Sequence, residues 1–113
     1  MIKTDKPWGY EELLENNDFY VVKRLFMKQG CRCSLQYHNH KHETIYVLEG
    51  ELKITIGNDI NSLQDIIYIK GQYIAIQNKI IHRMEGNTDC LYLESSTNQL
   101  DDVVRIKDDY ARI

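Results

Sequence analysis

SLQYHNHKHETIYVLEG, residues 34–50, sets Gln36, His38, His40, His42 and Glu43 within eight positions, then runs through an apolar segment to Gly50. A strand over residues 34–40 would turn successive side chains to opposite faces. Gln36, His38 and His40 would then share one wall, and Leu35, Tyr37 and Asn39 the other. Two imidazoles of such a His-x-His pair stand about 6 to 7 Å apart, close enough to converge on one ion at bond lengths of about 2.0 to 2.2 Å. Glu43, reached through an irregular step at Lys41 and His42, would add an anionic oxygen. His42, where the chain direction changes, reads as solvated.

The apolar half of this stretch repeats along the chain. Segments FYVVKRLFM, LKITI, DIIYI, YIAI, IIHRM, CLYLES and VVRI recur at about ten-residue spacing, rich in Ile, Val and Tyr. Between them lie turn-forming sequences: EGE around Gly50, GND at 57–59, KGQ around Gly71 and EGNTD at 85–89. EELLE at 11–15 has helical composition but no apolar continuation at helical spacing, and reads as a strand. The pattern predicts an all-β single domain, a sandwich or a small barrel such as a jelly roll. His82, in IIHRM, becomes a further donor because a cluster already exists for it to join. Mixed nitrogen and oxygen donors suit zinc, manganese, iron, nickel or cobalt.

Other polar residues read more plainly. Cys31 and Cys33 fall on the face opposite His38 and His40 and are expected to be structural thiols. Glu94 shares a face with Cys90 and Tyr92, so it either approaches a pocket or ends its strand. Lys53 is expected in solvent, and Arg83, alternating away from His82, on the outside. The pairs Asp101-Asp102 and Asp108-Asp109 are expected to be solvated or ion-paired.

The chain's 113 residues make one domain. Its 14 basic and 17 acidic residues give no footprint for nucleic acid or an anionic membrane. No apolar run approaches the roughly 20 residues of a membrane span, and MIKTDKPWGY lacks the apolar block of a secretion signal. A cytoplasmic location is expected, and three cysteines, an odd count, are expected to be reduced.

Gly30, His38, His40, Glu43 and Gly50, followed by Gly71 and His82, resemble the two motifs of the cupin superfamily. Glu43 comes one residue early, Gly30 lies farther from His38 than usual, and Gln77 and Lys79 replace a proline and a glycine of the second motif. A narrower resemblance runs through KPWGYEELLE, SLQYH, ETIYVLEG, IHRME and LDDVVRIKDDYAR. These are similar to the small single-domain cupins grouped with mannose-6-phosphate isomerases, and SLQYH also to the isomerase part of the bifunctional mannose-1-phosphate guanylyltransferases.

The resemblance implies a cupin-type jelly-roll β-barrel over residues 1–113, with an N-terminal arm or strand at 1–15 and a C-terminal tail at 100–113. It implies a divalent metal held by Gln36, His38, Glu43 and His82, or in the general cupin set by His38, His40, Glu43 and His82. The activity implied is metal-dependent aldose–ketose isomerisation of a sugar, sugar phosphate or nucleotide sugar by proton transfer. Glu94 and His40 are the candidate proton carriers, and Arg83, Lys53 and Lys41 the candidate phosphate contacts. The alternatives are a non-catalytic sugar-binding or regulatory cupin and an Fe(II)-dependent dioxygenase. A homodimer is expected, with the KPWGY arm and the tail covering strand edges.

Overall fold

A computed structural model describes residues 2–110, so Met1 and the last three positions of the tail lie outside the described residues. The first sheet contains β1 (Ile2–Lys6), β2 (Gly9–Asn16), β3 (Val21–Met27), β5 (Glu43–Glu49), β8 (Tyr73–Ile76) and β10 (Cys90–Ser96), in the order β1-β2-β3-β10-β5-β8. The second contains β4 (Leu35–Tyr37), β6 (Glu51–Gly57), β7 (Gln64–Ile69), β9 (Ile81–Gly86) and β11 (Val104–Lys107), in the order β11-β4-β9-β6-β7. All pairings between these strands are antiparallel. This is the all-β jelly-roll expected from the apolar rhythm. No helix long and apolar enough to cross a membrane occurs among the described residues.

The sheets face each other across a core of Leu25, Met27, Ile45, Val47, Leu52, Ile54, Ile76, Met84, Cys90 and Tyr92. Alternation aims each row. On β5, Glu43, Ile45 and Val47 are buried while Thr44 and Tyr46 face out. On β10, Cys90, Tyr92, Glu94 and Ser96 form the inward row. Glu43 and Glu94 therefore sit on rows otherwise used for the core, at neighbouring positions, since Ser96 pairs with Glu43 and Glu94 with Ile45.

Two expectations need correction. The strand expected over residues 34–40 ends at Tyr37, because the N–H groups of Asn39, His40 and Lys41 all donate to the Asp102 carboxylate instead of to a ladder. Alternation fails beyond that point, and His40 is exposed. Arg83 is buried at 7 % exposure rather than facing out. Its Nε donates to Cys33 O and its Nη2 to Lys107 O, so the Arg83 side chain is covered by the loop before β4 and by β11. The arm and the tail are themselves the outermost strands: β1 ends one sheet and β11 the other.

Gly50 joins β5 to β6 at φ +77°, and a Cβ there would sit 2.2 Å from Asp89 O. Gly30 has a similar φ of +78° but open space around it. Gly30→Ala should lose only the left-handed penalty, about 1–2 kcal/mol. Gly50→Ala should lose a further ~1–3 kcal/mol from the backbone clash. Denaturant unfolding of both variants checks this, and equal losses would contradict it.

Candidate functional site

Three buried side chains meet at one end of the space between the sheets. Glu43 comes from β5, His82 from β9, and His38 from the residue after β4, which β9 holds through the Gln36–His82 pair. One donor atom from each lies within 4.8 Å of the others. The imidazole centroids are 5.1 Å apart with planes inclined at 51°.

Each ring is fixed by a carbonyl behind it. His38 Nδ1 donates to Asp102 O, and His82 Nδ1 donates to Ile80 O at 2.9 Å. This places Nε2 of both rings on the inside, the arrangement that orients imidazoles toward a cation. Nε2 of His82 is 2.8 Å and Nε2 of His38 3.6 Å from Glu43 Oε1. Despite these short separations, His38 Nε2, His82 Nε2 and Glu43 Oε1 are all buried without an aligned hydrogen-bond partner. Three convergent, unsatisfied donor atoms of N, N and O type, with tautomers set from behind, fit a divalent ion.

Without an ion, the carboxylate and the His82 ring act on one another. Burial alone would raise the Glu43 carboxyl, but hydrogen-bonding approach to His38 and His82 and the charges of His82 and Lys41 outweigh it and hold it well below the usual range. Burial pulls His82 down, and the Glu43 carboxylate more than reverses this. Beyond Glu43, Lys41 Nζ stands 3.5 Å from Glu43 Oε2 and 3.1 Å from Glu94 Oε2. Burial, and then the charge of Glu43, raise the Glu94 carboxyl.

A cavity of about 490 Å³ reaches Lys41, Glu94 and Gln36, which neighbour this group, while His38, Glu43 and His82 themselves lie behind its lining. Ile2, Thr4 and Lys6 wall one side and Leu100, Asp101 and Val103 another, with Gln36, Lys41, Glu94 and Arg105 also lining it. Of the two alternatives for a further donor, Gln36 is half-buried beside His82, with Oε1 accepting from Ser34 Oγ. His40 is turned away, outside the group. Glu94 approaches the pocket rather than ending its strand. His42 is exposed as expected. Lys41, read as a possible phosphate contact, is instead buried between two carboxylates, and Lys53 pairs with Glu85 at 3.2 Å, away from the cavity lining. Cys33 lines the cavity, but burial pushes its thiol up to about 11, in keeping with a structural role.

Two residues were not legible beforehand. Asp102, expected in solvent or an ion pair, caps three backbone N–H groups and supplies the carbonyl that fixes His38. Arg105 Nε is buried without a partner beside the cavity. Asp102 carried no signal, since its partners are over sixty positions away. Arg105 could have been found only from its pairing opposite Gln36.

The family model described as mannose-6-phosphate isomerase C-terminal matches residues 2–108. A mannose-1-phosphate guanylyltransferase of Escherichia coli K12 is 35% identical over 96% of this chain and 23% of its own length. The chain thus spans about a quarter of that curated relative. Among solved structures, the capsular polysaccharide assembling protein CapF of Staphylococcus aureus superposes with a TM-score of 0.82 at 17% identity, covering 94% of this chain and 34% of that one. A Bacillus subtilis oxalate decarboxylase, described with Mn(II) centers, gives 0.79 at 14% identity, covering 94% and 30%. These likenesses are of fold alone.

Asp102 is lowered to about 2 from an ordinary 3.8, first by the N–H groups of Asn39 and His40. A carboxylate lowered in the folded state contributes stability that is present above the ordinary value and lost as pH falls through the folded one. Melting temperature should therefore drop between about pH 3.8 and 2 more steeply in the unaltered chain than in Asp102→Asn. Parallel curves for the two proteins would refute the capping role.

Proposed function

The chain belongs to the mannose-6-phosphate isomerase C-terminal family, and from that premise we propose that it is a divalent-metal-dependent aldose–ketose isomerase of a sugar or sugar phosphate whose anomeric carbon is free, a nucleotide sugar having first to release its C1. The observation that carries this reading is the set of three buried donor atoms without partners, beside a cavity with a carboxylate and a guanidinium in its wall. His38, Glu43 and His82 would hold the ion, with Gln36 rather than His40 as the fourth donor. Zinc, manganese, iron, nickel and cobalt all suit such donors, and the Mn(II) centers of the oxalate decarboxylase make manganese a reasonable first ion to load. When bound, the ion supplies Lewis-acid polarisation of a substrate oxygen.

The remaining chemistry belongs to the chain's own groups. Moving a hydrogen between C1 and C2 requires a base that takes the proton from one carbon and returns it to the other through an enediol. Glu94, which lines the cavity, would serve as this base, and the burial that raises its carboxyl favours taking up the proton. Arg105, with Nε unpartnered, suits an anionic group such as a phosphate. The name of the Escherichia coli relative, a mannose-1-phosphate guanylyltransferase, supports a phosphorylated hexose as the first substrate to try. The proposed assembly is a homodimer through the free edges β7 and β8, where Ile66, Ile67, Ile69 and Tyr73 are exposed.

The donor set of two histidines and one carboxylate also favours a second reading, an Fe(II)-dependent dioxygenase. Oxygen consumption by iron-loaded protein separates the two, since isomerisation consumes no oxidant. Saturable sugar binding that survives metal removal, with no turnover, would indicate a binding cupin instead.

Metal-loaded protein should interconvert a phosphorylated aldose and ketose. Inactivity across a panel of free, phosphorylated and nucleotide sugars would count against the proposal. His38→Ala should lose most bound metal, read by elemental analysis. Glu94→Gln should keep the metal while kcat falls by about 10²–10⁴. Arg105→Ala should act mainly on KM for phosphorylated substrates.

A further inference from the structure

Lys41 has no part in the reaction outlined above, yet its ammonium occupies the interior at 6 % exposure. It stands 3.5 Å from Glu43 Oε2 and 3.1 Å from Glu94 Oε2. Glu43 Oε1 is the atom that faces Nε2 of His82 and His38 and has no aligned partner. The two oxygens of one carboxylate are therefore divided between a cation already present and the convergent donor group. The backbone holds this division in place: Lys41 N–H donates to Asp102 Oδ2, and Glu43 lies on the inward row of β5.

We infer that Lys41 is a positioning residue that reserves Glu43 Oε2, so that Glu43 offers a metal one oxygen and a coordination position is left for an exogenous ligand. This rests on the metal reading given above. Carboxylates bind cations through one oxygen or both. An apolar neighbour in place of Lys41 would leave Oε2 free to turn in as a second donor. An open position is what separates a catalytic site from a closed structural one. Sign matters as well: an ammonium this near to a dication opposes its binding by Coulomb repulsion. A side chain that served only to tighten the site would not carry positive charge, so the role fits control of access better than affinity.

Cobalt(II) loaded into the full chain reports both quantities, because its visible bands weaken as coordination number rises and shift when an exogenous ligand binds. In the unaltered protein, Co(II) should give bands that respond to azide. Lys41→Met, which keeps length and loses charge, should bind Co(II) at least as tightly, show weaker bands, and bind azide about tenfold or more weakly. Lys41→Arg should restore both the bands and the azide response. Lys41→Gln carries the same test if Lys41→Met does not fold, as judged by circular dichroism. An azide response in the neutral variants equal to that of the unaltered protein overturns the inference alone. Loss of Co(II) affinity with unchanged bands makes Lys41 merely structural and overturns it too. Absence of Co(II) bands in the unaltered protein overturns both this inference and the metal reading.

Discussion

The structure depends on the burial of Glu43. Its row on β5 otherwise carries Ile45 and Val47, and its side chain is almost fully enclosed. An ionised carboxylate in such a place costs several kcal/mol unless charges and donors surround it. The surroundings meet that demand from two directions. His38 and His82 approach one oxygen from the second sheet, and Lys41 approaches the other from the loop before β5. Lys41 is in turn balanced by Glu94, so the interior holds a chain of alternating charge rather than an isolated anion.

Asp102 anchors this arrangement from outside. Through its carboxylate it ends β4 and shapes the loop from Asn39 to Lys41, and through its carbonyl it fixes the His38 ring. Further along the tail, Asp109 receives a two-point contact from Arg32, and Lys107 O accepts from Arg83. The last described strand is thus held largely by polar contacts, and the same segment walls the cavity beside the donor group.

Most of the fold was legible because β-strands announce themselves locally. Short Ile-, Val- and Tyr-rich runs between turn residues matched strands closely, YIAI at 73–76 to the residue and EELLE as part of β2. His38, Glu43 and His82 could be grouped from the motif resemblance, and the structure brings those three side chains together. The misreadings share one cause, long-range contact. Alternation predicted His40 beside His38, but alternation requires ladder hydrogen bonds, and the Asp102 carboxylate takes those N–H groups. Arg83 pointed away from His82 as read, yet what covers that face comes from the loop before β4 and from the tail. Lys41 has the composition of a surface residue, and only the pairing of β5 with β10 reveals the two carboxylates that enclose it.

The carbonyl behind His38 lies 64 positions further along the chain. Synthesis reaches Asp102 only after His38, Glu43 and His82, so the residue that holds the first of them is the last of the four to be made. A nascent chain that has completed both histidine segments still has an unoriented His38 ring and an uncapped loop at Asn39 to Lys41. The interior constellation is therefore finished only when residues 100–103 fold back against the loop that carries His38.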